Sequence, residues 1–148
     1  MAKLTKFNLG TVINNIERTK RELPIILAKV TQSEFVKNFQ GEGFDGQKWI
    51  TPNRKIAGTP EYKYPKTKGL SRRTKPTLTN SGALRRATSN SIRQATWERI
   101  MLVVDLPYAK RHNEGLDGMP QRTFIGQTNE LTKIQNEVVT KYFDKIWH

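Results

Sequence analysis

Cysteine is absent from the 148-residue chain, which excludes disulfides and thiolate metal sites and permits a reducing compartment. Histidine is nearly absent as well, with only His112 and the terminal His148. A transition-metal site needs several converging ligands, so no metal and no cofactor is expected. No apolar run approaches the roughly 20 residues that a spanning helix requires. The opening stretch MAKLTKFNLGTVINNIERTK has no continuous apolar segment of the secretory-signal kind. The expectation is a soluble product made in the cytoplasm, without a membrane partner. Acidic residues are scarce: 13 Asp and Glu face 26 Lys and Arg, a formal net charge of +13. That excess calls for a polyanion or for acidic protein neighbours, and says nothing about fold. The apolar share is low at 35%, so part of the chain is expected outside a compact core, in arms or loops that order on a partner. The length suits one domain with one core, and no internal repeat is present.

What is present reads as an α+β protein with N-terminal helices, a small antiparallel sheet, a long basic arm and a C-terminal helix. Between residues 9 and 40, Val12, Ile13, Ile16, Leu23, Ile26, Leu27 and Val30 recur at three and four, and Phe35, Val36 and Phe39 extend the stripe. Pro24 lacks an N–H, which predicts a kink or the start of a second helix, with Thr31 or Ser33 capping a third piece. Gly41 and Gly43 are placed to stop the run. Asp45-Gly46 is a turn dipeptide between Phe44 and Trp49, which are expected to anchor the turn against the helix.

Residues 50 to 78 carry Arg54, Lys55, Lys63, Lys66, Lys68, Arg72, Arg73 and Lys75 against the single acid Glu61, with four prolines that break long helices and central strands. Two readings stay open here: an arm that lies along a neighbour or reaches toward phosphates, or a solvated basic loop. Tyr62 and Tyr64 alternate with charge as in a short edge strand or hairpin arm. Asn80 or Ser81 can cap a short helix through Leu84, with Gly82 at a place where a side chain is excluded. Ser91 to Leu106 carries β signals, and Glu98-Arg99 marks a turn between two strands whose second member is apolar on both faces. In the last segment Leu131, Ile134, Val138 and Phe143 repeat near 3.6. Thr128 or Asn129 is the cap, and Lys141 and Lys145 sit in the last turn, where the helix dipole favours them.

The stretch Leu106 to Gly126, LPYAKRHNEGLDGMPQRTFIG, joins the strand run to the last helix. His112-Asn113-Glu114 raises the idea of a nuclease. However, no Ser/His/Asp set, phosphate-binding loop or close carboxylate pair accompanies it, and the chain is read as no enzyme. Gly118 permits unusual φ, Pro120 fixes φ and disfavours helix at Met119, so the chain is held extended before Phe124 enters the core. Arg122 has a fork that suits a carboxylate or backbone carbonyls. His112 is expected to hydrogen-bond the loop backbone or a neighbouring subunit.

Tyr108-Ala109, His112, Gly115 and Met119-Pro120-Gln121-Arg122-Thr123-Phe124-Ile125-Gly126 resemble the YA-x-x-H-x-x-G … MPARPF-[LI]-G signature of the phage virion morphogenesis family, the tail-completion proteins of Mu-like and P2-like tailed phages. Phe39 with Gly43-Phe44-Asp45-Gly46 and Trp49 is similar to that family's F-x-x-x-G-x-x-W region. Leu78 to Leu84 is similar to its L-x-x-[ST]-G-x-L step. Gln121 and Thr123 depart from the family's Ala and Pro, which makes the loop less rigid. The resemblance implies an α+β structural subunit of the virion neck that forms a homo-oligomeric ring, with six subunits the match to tail symmetry. It would join head–tail connector and tail tube proteins at the head–tail interface, without catalysis. In that reading the basic arm contacts an adjacent ring or, non-specifically, packaged DNA; the residues themselves leave a second reading, a stand-alone nucleic-acid-binding module on residues 54 to 75.

Overall fold

A computed structural model describes residues 7–65 and 71–147, so Lys66 and Lys68 of the basic segment lie outside the described residues. The chain is α+β. One helix, α1 (Leu9–Gly41), supplies the long axis. The expected break at Pro24 and the third piece at Thr31 or Ser33 do not form: Pro24 sits inside a single 33-residue helix. Pro24 is itself buried along with Leu23, Ala28, Phe35 and Phe39, so the apolar stripe runs through the proline and its packing outweighs the missing N–H. Asn8 caps the start, its side chain accepting from the Thr11 amide at 3.2 Å. Neither glycine closes the end. Glu42 takes the left-handed cap at φ 48°, and its amide donates to the Asn38 carbonyl.

A minimal hairpin follows, β1 (Gly43–Phe44) and β2 (Gln47–Lys48), turned by Asp45 and Gly46, both at positive φ. The basic segment contains a 3-10 turn (Asn53–Lys55), α2 (Pro60–Lys63) and α3 (Ser71–Thr74). Tyr62 is therefore helical, not in an edge strand. Thr59 caps α2 and Pro60 opens it with a preset φ. α4 (Ala83–Ser89) starts from Gly82 at φ 74°, not from an Asn80 or Ser81 cap, although Ser81 Oγ accepts from the Ala83 amide at 3.3 Å.

The main sheet is the hairpin β3 (Ile92–Ala95) and β4 (Ile100–Leu102), antiparallel, with a register irregularity at Arg93. Thr96 and Arg99 close its turn with reciprocal backbone hydrogen bonds of 2.8 and 3.2 Å. Trp97 therefore lies in the turn with Glu98, one step before the expected position. Within the subunit Ile100 and Val103 of this apolar run stay exposed. α5 (Ala109–Glu114) lies inside the stretch read as a loop. α6 (Asn129–Trp147) begins with Thr128, whose Oγ1 accepts from the Leu131 amide at 3.0 Å. It runs antiparallel to α1: Gln135 reaches Thr31 Oγ1 at 2.9 Å, and Asn15 Nδ2 donates to the carbonyls of Lys145 and Ile146 at 3.3 Å. Leu131 and Ile146 are buried on this seam, while Phe143 faces outward.

Candidate functional site

Three distant stretches meet in one cluster. Phe39 from α1, Trp49 after β2, Leu84 from α4, Ala109 from α5 and Phe124 pack together, with Leu78, Val104, Leu106 and Ile125 around them. Phe39 is the pivot: its ring lies 5.8 Å from Trp49, edge to face, and 5.3 Å from Phe124. Phe44 is half-buried and packs on Gly126, where a Cβ would come within 2.8 Å of its ring.

The segment Gln121–Gly126 is fastened from three sides. Trp49 Nε1 donates to the Thr123 carbonyl at 2.8 Å, and Asn38 Nδ2 donates to the Phe124 carbonyl at 3.0 Å. Asn113 Oδ1 accepts from the amides of Phe124 and Ile125 at 2.9 and 3.0 Å, while its own carbonyl accepts from Gln121 Nε2 and Thr123 Oγ1. Asn113 is thus a further residue of the site, beyond those the sequence points to. The sequence carries no signal for this role, because the pairing with residues 121–125 exists only once the loop folds back on α5. Gly115, at φ 69°, ends α5 and lies against Gln121, whose Cβ would be 2.8 Å from a Cβ there. Gly118 is also left-handed, at φ 73°, and Pro120 is exposed.

Among the described residues His112 Nδ1 makes no bond to the loop backbone, one of its two expected partners. Its Nδ1 is buried without a partner, and its ring stands edge-on to Tyr108 at 6.0 Å. The contact that holds the loop is its carbonyl, which accepts from the Arg122 amide at 2.8 Å. Burial, then the charges of Arg122 and Arg111, push the imidazole pKa down, so the ring is neutral at pH 7. Glu114 faces outward near Lys110, at 3.9 Å. No group of three or more metal-ligating side chains occurs among the described residues.

Arg122 is 7% exposed, and its Nε and Nη2 both donate to the Ile50 carbonyl, at 3.2 and 3.1 Å. Among the described residues no carboxylate lies within ion-pair distance of it. Burial first, and Arg54 second, lower its pKa, and a guanidinium still remains charged at neutral pH. Arg54, Arg72 and Arg122 form a wall between two clefts. One, of about 440 Å³, has Thr77, Asn80, Ser81 and Tyr108 on its other sides. The second, of about 530 Å³, is largely apolar, with Ile50, Pro52, Tyr64 and Pro120.

Much of the basic segment serves to fold it back. Arg54 donates to the carbonyls of Arg72, Lys75 and Pro76, at 2.9, 3.4 and 3.3 Å. Arg73 lies 4.2 Å over the Tyr62 ring and donates to the Tyr62 carbonyl at 2.6 Å. Lys75 reaches the Asn80 carbonyl at 3.1 Å, and Lys55 pairs with Glu42 at 3.0 Å. Glu42 also accepts from the Thr77 amide, and these contacts hold its pKa at about 2. Lys63 is exposed.

Comparison with family models, curated proteins and solved structures finds no match. The likeness to the virion morphogenesis family therefore rests on the three motif stretches alone. Among the described residues, no helix is long and apolar enough to cross a membrane.

Proposed function

We propose that this chain is a structural virion protein of a tailed bacteriophage, a ring-forming subunit that completes the tail and joins it to the head at the neck. One observation carries the reading. The three stretches that resemble the family, around Trp49, around Leu84 and from Tyr108 to Gly126, are far apart in sequence and share one core cluster. A motif whose parts pack together and fasten one loop is a motif of fold and assembly, consistent with a protein that works by packing. The surface adds support. Trp97, Ile100 and Val103 leave apolar area on the β3–β4 hairpin, which offers a face for a neighbouring subunit. A closed ring of like subunits needs two different complementary faces, and the hairpin would be one of them.

The test is the mass of the purified full-length protein across concentrations, with and without short duplex DNA. A ring-sized species, alone or on addition of neck or tail components, is the expected result. A monomer that stays monomeric with those components, and binds DNA with affinity falling steeply in salt, would replace this reading with the nucleic-acid module.

A further inference from the structure

We infer that the clefts on either side of the Arg54–Arg72–Arg122 wall form a docking site for a peptide segment of a partner protein that carries a carboxylate next to an apolar side chain. The inference stands apart from the ring proposal, since the site lies within one subunit.

The first ground is charge. Arg122 is a guanidinium almost fully removed from water, held by one backbone carbonyl and facing no acid among the described residues. Arg54, beside it, adds to the positive field instead of relieving it. Two carboxylates lie near this wall: Glu42 is committed to Lys55 and the Thr77 amide, and Glu61, which lines the apolar cleft, accepts from Asn53 Nδ2 at 3.3 Å and makes no ion pair with Arg122. Buried cations are ordinarily paired, so the missing charge falls to a ligand. A planar carboxylate matches the guanidinium fork.

The second ground separates a peptide from a nucleic acid. The cleft of about 530 Å³ behind the wall presents Ile50, Tyr64 and Pro120, with Ile50 63% and Tyr64 80% exposed. Phosphodiester backbones offer phosphates and sugars, with nothing to fill such a groove, and a rigid duplex cannot lower a phosphate onto a guanidinium that is only 7% exposed. A chain alternating Glu or Asp with Leu or an aromatic residue supplies both the charge and the apolar filler.

The probe is a synthetic peptide alternating glutamate and leucine, titrated into the full chain by calorimetry at about 0.1 M salt, with short duplex DNA as competitor. Binding is expected, and it weakens about tenfold in Tyr64→Ala, which removes an exposed side chain the fold does not use. Asn80→Asp, which sets an internal carboxylate in the polar cleft, weakens it by a similar factor and leaves the melting temperature equal or higher. Displacement of the peptide by DNA would overturn the inference in favour of a phosphate site. Absence of binding at millimolar peptide, or binding unchanged in both variants, would overturn it outright.

Discussion

Asn113 governs the segment that the motif is built around. Its side-chain oxygen is the shared acceptor for the Phe124 and Ile125 amides. Removing it leaves two part-buried donors without a partner, so Asn113→Ala is expected to cost ~2–3 kcal/mol in a denaturant melt. Asn113→Asp, which keeps the acceptor, should cost clearly less. Equal losses would mean that the amide nitrogen matters instead. Glu42 acts at the same scale. Its folded pKa of about 2 lies below the ordinary 4.5. The unfolded chain therefore binds the proton first, and the stabilisation is complete above pH ~4.5 and lost as pH falls toward 2. With a side chain 36% exposed, solvent screening reduces the contribution to about 1–2 kcal/mol. Glu42→Gln should be less stable at neutral pH and flatter across that window. A parallel acid limb in both proteins would refute the assignment. His112 acts in a higher window. Burial depresses its pKa below 6.5, so its share of stability is full above that value and declines as the pH drops beneath it.

At the scale of elements, the α1–α6 seam depends on small residues as much as large ones. Ala28 on α1 is fully buried, and Thr31, which accepts from Gln135 of α6, nearly so. Ala28→Leu would force extra methylenes against a fully buried face of α1 and is expected to cost ~1–3 kcal/mol. By contrast Phe143, outward on α6, should tolerate alanine within about 0.5 kcal/mol in the isolated subunit. Thermal melts of the two variants check the pair, and the reverse ranking would show that the helices pack through another face. The β3–β4 hairpin has the opposite character. It is two-stranded, with apolar side chains left in solvent, and a lone hairpin draws little stability from itself. Its contacts with α1 hold it.

At the scale of the molecule, net charge sets the terms of assembly. Subunits of +13 repel one another, so self-association should strengthen as salt rises from low to physiological strength. A nucleic-acid module would show the opposite slope, because counterion release weakens DNA binding in salt. Sedimentation of the full chain over a salt series separates the two. An acidic segment at the Arg54–Arg72–Arg122 wall would fit the same electrostatics, since acidic neighbours offset a charge of +13.

The sequence by itself determined the elements whose causes are local. Apolar residues at three and four specified both long helices, Asp45-Gly46 specified its turn, Thr128 its cap, and alternating β-formers the hairpin. Each rests on contacts within a few residues, which a linear pattern records. Pro24 and Glu42 show where that reading stops. A buried proline continued inside one helix because α1 packs on both sides of it, from Thr19 to Phe39, and a non-glycine residue took the left-handed cap because Lys55 and Thr77 hold its side chain. Only the tertiary structure brought Trp49 to Thr123, Asn38 to Phe124 and Arg122 to Ile50, pairs separated by 74, 86 and 72 residues. Such contacts leave no periodic trace. They arise when long-range packing closes the chain on itself, and the same closure buried Arg122 and joined it to Arg54 and Arg72 in one wall.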